Sequence, residues 1–193
     1  MKCTVIDGLF DDLFLHELYL KINDLPLNTT NIANRTTWPY GHKGSHKLLG
    51  LLLFSRVGIN RVTNFHPQSE IFFNILEVIE RHLNQPLLLH ELSLNVQHTH
   101  CDGSVHIDGD ISEYSILLMT NPTWDKNWGG QFQLTNDDAS EIIEEYEYVP
   151  GRIIIMPSNH PHRGLGPTEQ YIYRTTVVFR VSRLGLDIPS AVR

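Results

Sequence analysis

His106-Ile107-Asp108, with His162 and Arg174 far downstream, is the stretch from which the rest of the chain can be read. Side chains alternate between the two faces of a β-strand, so residues two apart share a face. A strand through these residues would point His106 and Asp108 into the same space. His162, arriving on a distant strand, would complete a set of two imidazoles and one carboxylate. Three such donors hold one face of an octahedral metal and leave the opposite face open to other ligands. Such a set can assemble only in a fold that makes neighbours of distant strands.

The sequence around the motif predicts that kind of fold. Leu87–Gln97, Val105–Asp108, Tyr114–Thr120, Gln131–Leu134, Glu145–Val149, Arg152–Met156 and Tyr171–Val181 all read as strands. Between them stand Asp102-Gly103, Asn121-Pro122, Gly129-Gly130, Pro150-Gly151 and the Gly164–Pro167 segment, all turn signals. Many short strands separated in this way suggest a sandwich or jelly roll.

Upstream the texture differs. Thr4–Ile6 reads as a short opening strand. Asp11 or Asp12 then caps a helix whose Phe14, Leu15, Leu18, Tyr19 and Ile22 fall on one apolar face, and Pro26 ends it. A second helix is predicted over Ser69–Asn84, bounded by Pro67 and Pro86. Residues 28–47 are polar and turn-rich, and Trp38-Pro39-Tyr40-Gly41 lies within them. A long irregular segment in a compact domain is usually functional or disordered, and residues 34–47 are read as a lid over a site. The expectation is one domain over 1–193, mainly β with flanking helices. Residues 1–86 form a helical support region and 87–183 the jelly-roll core.

Bulk properties narrow the function classes. The 193 residues carry a formal charge of −7, which argues against a non-specific nucleic-acid surface. Two cysteines, Cys3 and Cys101, are too few for a disulfide scaffold. They could pair, but a reducing compartment is the simpler reading. The first ten residues lack the long apolar run of a signal peptide, and Leu48–Phe54 is far too short for a membrane span. The expectation is a soluble cytoplasmic protein without membrane contact.

A lone His-x-Asp is weak evidence, and the downstream order strengthens it. Asp102-Gly103-Ser104-Val105-His106-Ile107-Asp108 is followed by Asn121-Pro122 with Trp124. Next come Trp128-Gly129-Gly130-Gln131-Phe132, Pro150-Gly151-Arg152, Pro161-His162-Arg163-Gly164 and Arg174. Taken together, residues from about Leu92 to Val181 resemble the prolyl-4-hydroxylase-like branch of the Fe(II)/2-oxoglutarate dioxygenases, including its short bacterial and viral forms. The resemblance implies a double-stranded β-helix core, packed against the N-terminal helices, with the site at its open end.

The same resemblance implies Fe(II) bound by His106, Asp108 and His162, with 2-oxoglutarate and O₂ as co-substrates and ascorbate as a supporting reductant. His160 lies in the same loop as His162 and competes for the third position. The family places its ligand directly before an Arg-Gly or similar turn, which matches His162. Arg174 matches the residue that pairs with the far carboxylate of 2-oxoglutarate, a task suited to a planar, permanently charged fork. Thr176, two residues on, could add a hydroxyl. Asn95 and Gln97 alternate on the preceding strand, where the family binds the 1-carboxylate or the substrate. The tyrosine common in prolyl hydroxylases is missing there. Related halogenases have a small residue at the position of Asp108, so its carboxylate favours hydroxylation.

The implied reaction hydroxylates a C–H bond, in a prolyl residue of a peptide or protein or in an amino acid. Three other readings stay open at this point: a nucleic-acid or small-molecule oxygenase of the same chemistry, a non-catalytic jelly-roll module, and a cupin-like metalloprotein. His98-Thr99-His100 is read as polar lining at the cavity mouth. Trp124 and Trp128 are read as core or rim, and the remaining histidines as bystanders.

Overall fold

The computed structural model describes residues 3–30, 48–110 and 113–184; the segment 34–47, expected to form a lid, lies outside them. Strand β1 (Thr4–Ile6) leads into helix α1 (Asp12–Asn23). The carboxylate of Asp11 accepts the Phe14 amide at 2.8 Å, satisfying one of the donors a helix start leaves open. After β2 (Asn28–Thr30) come β3 (Leu48–Val57) and β4 (Arg61–Phe65). A short 3₁₀ turn then enters α2 (Glu70–Leu83). Asn84 ends α2 at φ 49°, the left-handed conformation that Asn tolerates better than most residues.

The remaining strands are β5 (Leu87–Gln97), β6 (Glu113–Met119), β7 (Phe132–Thr135), β8 (Ile142–Tyr146), β9 (Ile153–Pro157), β10 (His162–Gly164) and β11 (Arg174–Arg183). They form two antiparallel sheets. The larger runs β1-β9-β6-β11-β5-β3-β2, with β4 also on β3, and the smaller runs β10-β7-β8. Neighbours so far apart in sequence are the mark of a jelly roll, the architecture expected from the strand pattern.

Period-two alternation sets what each face of the larger sheet does. Leu92, Leu94, Ile116, Leu118, Ile153, Val177 and Phe179 point to one side and form a core with Leu18 and Ile22 of α1 and Phe72, Ile75 and Ile79 of α2. Their neighbours Leu117, Met119, Ile154 and Met156 point the other way and join Phe132 and Leu134 of β7. The strands are therefore apolar on both faces, as the unbroken Ile-Ile-Ile-Met of β9 shows. Fully burying each such side chain contributes about 1.5–3 kcal/mol.

Three expectations need correction. The 1–86 region is not only helical: β3 pairs with β5 over Leu49–Ser55 and is an integral strand of the larger sheet. The apolar run Leu48–Phe54 is the sign of that strand. Val105–Asp108 is not a strand either, since only His106 makes an isolated bridge there, to His162. The strand predicted at Glu145–Val149 lies instead at Ile142–Tyr146, because the Tyr148 hydroxyl is drawn inward to Asn121 and Thr175. Cys3 and Cys101 are not joined as a disulfide. Among the described residues, no helix is long and apolar enough to cross a membrane.

Candidate metal centre and active site

His106, Asp108 and His162 meet although no single strand carries the first two. The His106 amide donates to the His162 carbonyl at 3.0 Å, and the His162 amide returns the bond at 2.9 Å. This two-bond bridge fixes the imidazoles side by side, with ring centroids 4.5 Å apart. Asp108 is placed by its own amide, which donates to the Ser158 carbonyl at 2.7 Å. The three ligand atoms lie within 4.8 Å of one another. His106 Nε2 is 3.4 Å from Asp108 Oδ1, and His162 Nε2 is 3.5 Å from Oδ2.

Each member is oriented from behind. His106 Nδ1 lies 2.8 Å from the Ser104 carbonyl and His162 Nδ1 2.8 Å from the His160 carbonyl. Donation to those carbonyls leaves both Nε2 lone pairs facing the cluster, the usual arrangement behind metal-bound histidines. Ser115 donates to Asp108 Oδ2 at 2.6 Å, and its hydroxyl also contacts Ser158. Burial pushes His162 down to about 4. Burial also lowers His106, but the hydrogen bond and charge of Asp108 outweigh it and the net shift is upward. Asp108 feels burial in the opposite sense, and the two imidazoles hold its carboxyl well below the ordinary range.

The cluster opens into a cavity of about 360 Å³. Small-molecule pockets run roughly 300–1,000 Å³. One wall is a ladder of cross-strand pairs between β5 and β11: Gln97 opposite Arg174, Asn95 opposite Thr176, Ser93 opposite Val178 and Glu91 opposite Arg180. All eight residues line the cavity. The sequence reading named the upper two pairs.

Arg174 is 2% exposed. Its Nε donates to the Gly130 carbonyl at 2.8 Å and its Nη1 to Gln97 Oε1 at 2.7 Å. Nη2 is buried with no hydrogen-bond partner among the described residues. Burial draws its pKa down to about 10, so it remains a cation at neutral pH. The Tyr148 ring lies 5.3 Å from the guanidinium carbon and stacks at 4.2 Å on Trp124. Trp124 is thus packing behind the arginine, in keeping with the core-or-rim reading. A buried guanidinium with one arm unspent is costly until an anion meets it.

Gln97 has a different task from the one expected. Its amide nitrogen donates to the carbonyls of Cys101 (2.8 Å) and Gly164 (2.9 Å), and its oxygen accepts from Arg174. With oxygen and nitrogen both engaged, it positions Arg174 rather than offering a free group to a ligand. Gly164 makes this possible, since a Cβ there would lie 3.0 Å from Arg174 Nη1 and 3.1 Å from Gln97 Oε1. Asn95 and Thr176 face the cavity as expected. His160 stays outside the cluster, and exposed His98 and His100 do not line the cavity.

No protein-family model and no curated protein sequence matches the chain. Solved structures do. A 2OG-Fe(II) oxygenase family oxidoreductase from Burkholderia pseudomallei superposes with a TM-score of 0.66 at 16% identity, covering 93% of this chain and 85% of that one. The fold is that of the 2OG-Fe(II) oxygenases. A Pseudomonas putida prolyl-4-hydroxylase superposes on the oxygenase fold at 0.58 and 14% identity, covering 95% and 93%. A Trichoplax adhaerens prolyl hydroxylase, in complex with a hypoxia inducible factor peptide, does so at 0.64 and 13%, covering 93% and 83%.

Sequence reasoning missed Ser115 and the β3 wall formed by Leu48, Gly50 and Leu52, which line the cavity, and Ser158, which holds Asp108 and Ser115 from behind. Ser115 left a trace: it is the one small polar residue inside the apolar run Tyr114–Met119.

Proposed function

We propose that the chain is an Fe(II)- and 2-oxoglutarate-dependent dioxygenase that hydroxylates a C–H bond. His106, Asp108 and His162 are the iron ligands, and Arg174 receives the far carboxylate of 2-oxoglutarate. The observation that carries this reading is the buried, incompletely partnered Arg174 guanidinium in the same cavity as the triad. The donor set fits Fe(II), because two oriented imidazoles and one hydrogen-bonded carboxylate leave open positions for other ligands. When bound, Fe(II) supplies the redox chemistry: 2-oxoglutarate and O₂ give succinate, CO₂ and one oxygen atom inserted into the substrate C–H bond.

The protein's own part is placement. Ser104 and His160 carbonyls hold the imidazoles, Ser115 holds Asp108, and Gln97 with the Gly130 carbonyl holds Arg174. Thr176, on the same face as Arg174, offers its hydroxyl to the same carboxylate, and Asn95 opposite it is free to meet the other end of the co-substrate or the substrate. The substrate is a prolyl residue of a peptide or protein, or an amino acid; the Trichoplax neighbour with its bound peptide supports the peptide reading. The acidic chain disfavours nucleic acid.

The test is anaerobic titration of Fe(II)-reconstituted protein with 2-oxoglutarate, following the visible charge-transfer absorption of a chelated 2-oxo acid. The band should form in wild type, survive in His160→Ala and vanish in His162→Ala. Bound iron without any band would overturn the assignment. Asp108→Ala should form no hydroxylated product, and full turnover in that variant would also refute it.

A further inference from the structure

The two ends of the cavity are unbalanced in opposite senses. At the inner end a cation, Arg174, lacks an anion. At the outer end two carboxylates, Glu91 and Glu113, share one guanidinium, that of Arg180. The sharing is unequal. Arg180 Nη2 donates to Glu113 Oε2 at 2.9 Å, whereas Glu91 Oε2 stands 3.6 Å from Arg180 Nη1, beyond hydrogen-bond length. The Glu91 carboxylate accepts no hydrogen bond among the described residues, yet it lines the cavity that holds the triad. The Glu91 side chain is about one-third exposed, and partial burial, with the nearby charges of Asp108 and Glu113, raises its pKa against the opposing pull of Arg180.

The arrangement is held against the metal loop. Gly109 directly follows Asp108, and a Cβ on it would collide with Glu113 Oε2 and Arg180 Nη2. The Arg180–Glu113 pair thus lies against the backbone beside a candidate iron ligand, and Arg180 is hydrogen-bonded to Glu113 rather than to Glu91. Arg174 and Arg180 are six residues apart on β11, about 20 Å. Leu52, Leu117, Met156 and Val178 line the same cavity, together with Ser93 and Ser115. An aliphatic stem fits such walls, and a positive head group at its end would restore the missing charge at Glu91.

We propose that the outer cavity selects a substrate carrying an aliphatic amine or guanidine, with Glu91 as the residue that receives its cationic head. This rests on the dioxygenase reading and favours its amino-acid substrate class over the prolyl one, in the form of lysyl- or arginyl-like side chains, free or in a peptide. The Arg180–Glu113 pair positions Glu91 by denying it a full internal partner.

The test uses four probes of matched size: the N-acetyl amides of lysine, arginine, norleucine and glutamate. Calorimetric titration of the metal-free protein reads binding without any need for turnover. Succinate formation from 2-oxoglutarate by the iron-loaded enzyme is followed in parallel. The lysyl and arginyl probes should bind at least about tenfold more tightly than the norleucyl probe and should stimulate succinate formation. Glu91→Gln should erase that preference, and Glu91→Lys should transfer it to the glutamyl probe. Equal binding of all four, no binding of any, or a wild-type preference for the glutamyl probe overturns the proposal. Absence of succinate under every condition, with charge-selective binding intact, would instead count against the dioxygenase reading and leave the cation site standing.

Discussion

Arg174→Met isolates what the buried guanidinium does. Methionine keeps much of the length and apolar stem but removes the charge and all five donors. In wild type two arms of the fork are committed to Gly130 and Gln97, and Nη2 is the arm left for a ligand. Truncating one partner of a buried, hydrogen-bonded charge pair costs about 2–5 kcal/mol. At about 1.4 kcal/mol per decade, that is a loss of roughly 30- to 4,000-fold in 2-oxoglutarate affinity. The contact can be separated from general damage by pairing the variant with 2-oxobutyrate, which keeps the keto acid end and lacks the far carboxylate. Wild type should prefer 2-oxoglutarate over 2-oxobutyrate by that factor, and Arg174→Met should bind both alike. Anaerobic calorimetry on iron-loaded protein supplies all four constants. If Arg174→Met weakens both ligands equally, the carboxylate does not meet Arg174 and the reasoning fails.

Other consequences can be measured on the same protein. Metal binding requires neutral imidazoles, and the hydrogen bond and charge of Asp108 raise the His106 pKa in the metal-free site. Metal uptake below the His106 titration should therefore release a proton, and affinity should rise with pH through that titration and fall below it. Calorimetry in buffers of different ionisation enthalpy reads this, and an affinity independent of pH with no proton released contradicts it. Ser115→Ala removes the hydroxyl that orients Asp108 and should weaken metal binding by about 10- to 100-fold while the fold stays intact by circular dichroism. Ile79→Ala, on the buried face of α2, should cost about 2–5 kcal/mol in urea unfolding. The same change should leave the ratio of 2-oxoglutarate to 2-oxobutyrate affinities untouched, because Ile79 lies across the sheet from the cavity.

The fold and the members of the site were legible to different depths. β5 was readable to the residue, because the apolar Leu87–Leu89 run leads into strict polar and apolar alternation from Glu91 to Gln97. β3 and β4 were not, since Gly50 and the Arg61–Phe65 stretch weaken the local pattern and pairing with β5 decides the matter. The triad was found by residue type and order, yet the stated reason, two positions on one strand, was wrong in detail. His106 and Asp108 are aligned by backbone bonds to His162 and Ser158, and no local pattern in residues 102–108 announces those bonds. Gln97 could be seen to face the site, but its commitment to Arg174, Cys101 and Gly164 depends on tertiary contacts alone. Glu91, on the same face six residues earlier, was passed over because a charged residue on a strand is usually a solvated one.

The β5–β11 ladder gives this chain two nearly independent sets of positions on the same two strands. Leu92, Leu94, Val177 and Phe179 answer to the helices, while Glu91, Ser93, Asn95 and Val178 answer to the cavity. Changes on one side share few contacts with the other, so their effects on stability and on ligand choice should combine almost additively. A library confined to the four cavity positions could therefore explore new substrates without eroding the core, and the same partition explains how one scaffold can persist while its chemistry diversifies.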